Sequence, residues 1–486
     1  MTTEPAQPNP RRRIRVRAAA VLAVAALAIG SLTLLAMTTA SAFTSTAASP
    51  SASTSPSPTP SAANSVAPSA AATPTPALET PSATPTPART PSAQEFFVAG
   101  GTEPTVAADP AHPEVLAIAT QNVYMNSPTV GCSVPTIRIS RDGGATWGAP
   151  IYPWAHQCQD MHVIVAWGPD SRLWAGDAVG VGPGVVSMSV THSDDLGMSW
   201  TRPYIQGFTK AWSGAFPSMT VDNWPGSPNY GTVYVTYNWL PDNSGPAVAL
   251  MASRDGTNWV HAEVPVEGLA GYPYSWRIGY RIKAAPDGTA FVSFFQADLR
   301  FWNPGNMMNQ GADSNVGRRG FEIARVHFKG SVLTADQPAW ATNVDNAEAQ
   351  WQSALVVDDA GEPWLAVETG GRIDVGTLDG RWREFSIPGS YCFKASMAIS
   401  GQTVFVGWHA YDSAHQVSTY YTLSYDGGET FLPPAIVSGA AWNFNWQTGP
   451  NGVGLRENAE FMNGVVYYAY GDARSGDAVY LARIHP

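Results

Sequence analysis

An eight-residue phrase recurs along this 486-residue chain. Its cleanest copy is Ser140-Arg141-Asp142-Gly143-Gly144-Ala145-Thr146-Trp147. The stretches Ser193 to Trp200 and Ser424 to Phe431 repeat it, and Ser253 to Trp259 is one residue shorter. A repeat constrains a fold more than composition does, because each unit must bury its apolar face against its neighbour. The chemistry of the phrase is that of a hairpin. Its Asp accepts hydrogen bonds from N–H groups of its own turn, its Gly enters the φ > 0 region without a Cβ clash, and the closing aromatic covers the turn. Each copy follows a β-rich run, such as Thr136 to Ser140 or Tyr420 to Ser424. The phrase is therefore expected to close the third strand of a unit and turn into a fourth.

The pattern S-x-D-x-G-x-T-W resembles the Asp-box, or bacterial neuraminidase repeat, of the sialidase-like superfamily, here in a secreted protein of actinobacterial type. The resemblance implies an all-β fold, a β-propeller of four-stranded blades. Strand patterning spreads the repeat over seven units. Unit four has no box, and unit five has a degenerate one, Thr377 to Trp382. The seventh unit runs out after Ala478 to Ala482 with three strands. An open edge needs a partner, so Glu95-Phe96-Phe97-Val98 is expected to supply the missing strand and close a seven-bladed ring. A six-bladed ring follows if two units merge.

Outside the repeat the chain changes character. Residues 1–42 carry an arginine cluster (Arg11 to Arg17), an uncharged apolar run from Ala18 to Met37 and an A-x-A site at Ala40-Ser41-Ala42. That is the layout of a secretory signal, and the run is also long enough for a retained anchor. Residues 43–93 are almost pure Ser, Thr, Pro and Ala, a composition that stays disordered as a linker or stalk. Residues 94–486 form the propeller domain. Location outside the cytoplasm, secreted or anchored at the cell surface, follows, with membrane contact only through an uncleaved leader. The net charge of −11 argues against nucleic acid as a partner. A glycan or a cell-envelope component is the expected partner, of a monomer without cofactor or metal. Of the three cysteines, Cys132 and Cys158 are expected to pair, and Cys392 to be a buried structural thiol.

In a propeller of this kind the box turns lie at one end of the blades and first strands start at the other, around the channel. The box aspartates Asp142, Asp195, Asp255 and Asp426 are accordingly structural. Starts of first strands and ends of second strands bring Glu103, Asp160, His162, Asp177, Trp239, Arg277, Tyr280, Arg281, Asp298, Glu368, Lys394, His409, Arg456, Glu457 and Arg474 toward the other face. From these, Asp298, Glu368, Glu457 and Tyr280 are the catalytic candidates. Arg277, Arg281, Arg456, Arg474, Asp160, His162, Asp177, Trp239 and His409 are binding candidates, with Trp302 of the loop 298–320 as a sugar-stacking group. Sialidases resembling this chain hold a substrate carboxylate with three arginines and use a Tyr activated by a Glu, exceptions among glycosidases. Their first arginine sits in an F/Y-R-I-P motif near the domain start, where this chain reads Thr102-Glu103-Pro104-Thr105. The departure favours a carbohydrate- or envelope-binding propeller without sialidase activity. The alternative is a glycoside hydrolase of exo-sialidase-like kind using channel carboxylates and arginines.

Overall fold

The computed structural model describes residues 90–124, 132–154, 161–182, 185–206, 216–239, 247–270, 272–300, 316–344, 353–443 and 457–486. The expected leader, most of the expected linker, and Asp160, Trp302, Arg456 and Cys158 lie outside them. The described residues form seven antiparallel sheets, the blades of a seven-bladed propeller. Four sheets have four strands, those of blades 4 and 6 have five, and that of blade 1 has three. Blade 1 departs from expectation: its fourth strand is reduced to a single bridge between Ile137 and Ile151.

Each blade is a meander whose first strand lines the axis. The seven inner strands are Thr102–Ala108, Met161–Trp167, Ser218–Val221, Tyr274–Ala284, Ser353–Val357, Tyr391–Ser400 and Asn458–Met462. Ring closure follows the expected route. The strand Ser92–Gly100 pairs antiparallel with the last strand, Ala478–His485, and becomes the outer strand of blade 7. A polar clasp fastens this seam. Arg474 sends Nη1 to Glu95 Oε2 at 2.9 Å and Nε to Asp472 Oδ2 at 2.8 Å, and the Tyr470 hydroxyl donates to the same Glu95 carboxylate.

The apolar core is divided as a ring requires. One cluster of buried hydrophobics sits at each of the seven blade boundaries. Phe291, Phe295 and Trp276 of blade 4, for example, pack with Leu355 and Leu365 of blade 5, and burial of each such side chain stabilises by about 1.5–3 kcal/mol. The faces of each blade are thus buried mainly against its neighbours, while blade 6 adds a small cluster of its own, Phe393, Val417 and Trp442.

The repeated turns behave as their composition predicts. Asp142 Oδ1 accepts the Thr146 N–H at 2.9 Å and Oδ2 accepts the Thr146 hydroxyl at 2.6 Å. The Ser140 hydroxyl, which accepts the Gly144 N–H at 2.8 Å, itself donates to Asp142. The same pattern recurs around Asp195 and Asp426, and in shortened form around Asp255. Gly144, with φ at +86°, has no room for a side chain: a Cβ would lie 2.2 Å from Leu481. In a meander the third strand ends where the first one ends, so these turns all lie at the end of the ring opposite the inner-strand starts.

Candidate functional site

A second repeat, irregular in composition, governs those starts. The inner strands of blades 1, 2, 4 and 6 each slip register just after their first residues. The residue at the slip is left-handed: Glu103 (φ 55°), His162 (φ 67°), Gly279 (φ 73°) and Lys394 (φ 56°). Phe216 (φ 52°) holds the matching place two residues before the inner strand of blade 3. A left-handed conformation costs a non-glycine residue about 1–2 kcal/mol, and strain of this sort clusters at functional sites. The side chains of Glu103, His162 and Lys394 are almost wholly buried around the axis.

There they meet. His162 Nδ1 lies 2.8 Å from Glu103 Oε2, and the His162 ring lies 4.5 Å from that of Phe216. Glu103 acts electrostatically on Arg281 of blade 4 and on Lys394 of blade 6. Lys394 Nζ is 4.0 Å from Glu457 of blade 7. Glu457 in turn accepts from His409 Nε2 at 2.9 Å, from the Gly471 N–H at 3.0 Å and from the Tyr468 hydroxyl at 3.4 Å. His409 is fixed from behind by Thr419 Oγ1 at 3.0 Å from Nδ1. Glu368 accepts from the Tyr391 hydroxyl at 2.9 Å and also acts on Lys394. Burial pulls Lys394 below the ordinary lysine range against the carboxylates Glu457, Glu103 and Glu368. Burial likewise lowers Arg281 to about 10, with Glu103 opposing.

Farther along the axis lies a cavity of about 420 Å³ lined by all seven inner strands from their middles to their ends, with Thr105, Ile164, Ser218, Arg281, Ala354, Met397 and Asn458 each contributing; Arg281 and Glu457 line it, and Glu103, His162, Phe216 and Lys394 do not. An ion pair between Lys283 Nζ and Glu460 Oε1, 3.0 Å long, spans this cavity from blade 4 to blade 7. The cavity offers a ligand the Arg281 guanidinium on its wall and charges of both signs, with the buried network of Glu103, His162 and Lys394 behind it.

Of the described arginine candidates, Arg281 alone lines the cavity. Arg277, Arg281 and Arg474 have separate partners: Gln296 for Arg277, the Tyr280 carbonyl for Arg281, and Glu95 with Asp472 for Arg474. Arg474 belongs to the closure seam. Tyr280 is a core residue, fully buried against Tyr234 and Phe294, and its hydroxyl donates to the Arg277 carbonyl at 2.7 Å. Burial pushes its phenol far above the ordinary range, the opposite of what a nucleophile needs. Asp177 is fully buried at its second-strand position, and Trp239 packs partly buried at the boundary of blades 2 and 3. Cys392 is a free, buried thiol pushed up to about 11 by burial, as expected of a structural cysteine.

Asp298 lies in a separate buried group on the blade 4 face toward blade 3. It accepts from Arg318 Nε at 3.0 Å, from Gln296 Nε2 at 2.9 Å and from the Ser275 hydroxyl at 3.4 Å. Glu322 sits beside it, its Oε1 3.8 Å from Arg318 Nη2. Sequence reasoning passed over Glu322 and Phe216. Phe216 had a signal: Glu103-Pro-Thr-Val-Ala-Ala-Asp109 and Phe216-Pro-Ser-Met-Thr-Val-Asp222 align as one blade opening. Glu322 had none, since it occupies an ordinary third-strand position.

A scan against protein-family models and a search of curated proteins return no match. Among solved structures the chain is similar to an ulvan lyase of polysaccharide lyase family 25, at 11% identity and a TM-score of 0.50, covering 80% of this chain and 95% of that one. It is also similar to a protein of unknown function from Dyadobacter fermentans DSM 18053 (11% identity, TM-score 0.46, covering 81% and 99%). A Hadza microbial sialidase matches at 14% identity and a TM-score of 0.42, covering 72% and 73%. At such identities the likeness is one of fold, and it places this chain among β-propellers whose solved examples include enzymes acting on glycans.

Proposed function

We propose that the protein is an extracytoplasmic carbohydrate-binding β-propeller whose ligand enters at the channel mouth. The observation that carries this reading is the repeated left-handed conformation, which spends backbone strain in several blades to bring Glu103, His162, Phe216 and Lys394 around the axis beside a cavity walled by Arg281 and Glu457. A cavity of this size, with a few convergent polar groups and shifted titratable residues, is the form of a small-ligand site. Sugars suit it: hydroxyl groups pair with carboxylates and imidazoles, and Phe216 offers a ring face to pyranose C–H groups. Fold shared with a polysaccharide lyase does not transfer chemistry, so the mouth residues bear the weight. The four repeated turns are read as Asp-boxes of the sialidase-like superfamily, with a structural role only. Envelope glycans fit an export signal and a Ser/Thr/Pro stalk.

Hydrolysis is the second reading, favoured by the carboxylates Glu103, Glu368 and Glu457 gathered around Lys394. A glycan array and a panel of fluorogenic glycosides test both. Saturable binding that weakens at least about tenfold in Arg281→Gln and His162→Ala, without turnover, supports the binding module. Turnover lost in Glu368→Gln supports the hydrolase. Glycan binding untouched by either binding-site variant would remove the channel mouth from consideration.

A further inference from the structure

The group at the upper end of blade 4 stands apart from the channel mouth, and one of its members is left incomplete. Glu322 is 4% exposed, yet among the described residues its Oε2 has no hydrogen-bond partner. A buried carboxylate oxygen without a donor is costly when ionised and tolerable when the group carries a proton. Its neighbour Asp298, fully buried, is satisfied by three donors. One guanidinium serves both carboxyls. Arg318 holds Asp298 through Nε at 3.0 Å and stands off from Glu322 through Nη2 at 3.8 Å. It also lies over the Trp340 ring, 3.9 Å from the centroid, and is the partly exposed member of the group.

We propose that Glu322 is a proton-binding site that works Arg318 as a latch at the top of blade 4. With the proton on Glu322, the guanidinium stays on Asp298 and stacked on Trp340. When the proton leaves to solvent, Glu322 becomes a second anion beside Arg318, draws Nη2 in, and the stack on Trp340 loosens. The groups that act on Glu322 come from each strand packed against it. Arg277 of the inner strand and Arg318 of its own strand favour the ionised form; Asp298 of the second strand opposes it. From the strand Ala339–Asn343 comes the Trp340 ring, and from blade 3 the Glu267 carbonyl, which accepts from Gln296. Burial outweighs the two arginines and sets Glu322 up to about 7, so the latch turns near neutrality.

The test labels the intact protein with 5-fluorotryptophan and with carboxyl ¹³C-glutamate. The Trp340 signal is assigned by its loss in Trp340→Phe, and the Glu322 signal by its loss in Glu322→Gln. The proposal expects both signals to titrate with one midpoint near neutrality. It expects the Trp340 signal of Glu322→Gln, which mimics the protonated form, to stay at its acidic-side position throughout. A Glu322 midpoint in the ordinary carboxylate range would overturn it. So would a Trp340 titration that persists in Glu322→Gln. If that variant does not fold, the wild type decides, since separate midpoints for the two signals also sink the latch.

Discussion

The two ends of the propeller use the same residue types to opposite purposes. At the turn end, Asp142, Asp255 and Asp426 are exposed and Asp195 is partly so, and each closes its hydrogen bonds within its own few residues. Side-chain and backbone donors hold these carboxylates down at about 2. At the mouth end, Glu103, Glu457 and Lys394 are almost wholly buried, and each is satisfied from another blade. The turn end repeats because its energetics are local and any blade can carry a copy. The mouth end varies because each blade supplies a different piece of one shared network. Repetition here marks scaffold, and departure from it marks the candidate site.

Variants that strike each end should differ in size accordingly. Glu457→Ala removes the common acceptor of His409, Gly471 and Tyr468 and strands the buried Lys394 charge, so it should cost about 3–5 kcal/mol in denaturant unfolding. A cost below about 1 kcal/mol would show that the network is slack. Glu322 should give an intermediate effect with a distinctive sign. Its folded-state value lies above the unfolded one, so its contribution is complete below the unfolded value of 4.5 and is lost as pH rises through about 7. The loss should be about 3 kcal/mol by linkage. Urea midpoints should fall across that window in the wild type and not in Glu322→Gln. The smallest effect belongs to the turn end. Asp142→Ala should cost about 1 kcal/mol and leave glycan binding unchanged. The turn aspartates are depressed, so their contribution is present above the unfolded value of 3.8 and lost as pH falls toward 2. An Asp142→Ala variant that folds normally but loses binding would break the division between scaffold and site.

Legibility followed the same division. The hairpin phrase, the blade openings and the need for Glu95 to Val98 to close the ring were visible because they depend on neighbours in sequence. The strand count went astray in blade 1, where pairing shrinks to the Ile137–Ile151 bridge, and in blades 4 and 6, which carry a fifth strand. Among the site candidates, His162, His409, Glu368 and Glu457 do join the channel-mouth network. Tyr280 does not, since strand alternation beyond the Gly279 bulge carries its ring into the core between blades 3 and 4. Arg474 was expected at the mouth, and its pull toward Glu95 could not be foreseen from residues 379 apart in sequence.

The sequence by itself determined the repeating unit, the ring it must form and the self-contained hydrogen bonding of the turn aspartates, because those rest on local hydrogen bonds and short-period patterning. Only the tertiary structure decided which charges meet. Glu103 faces His162 and acts on Arg281 and Lys394, and Lys394 faces Glu457, because ring closure brings blades 1, 2, 4, 6 and 7 to one axis. Once water is excluded there, partners chosen by closure, and not by sequence distance, set the protonation and position of every group.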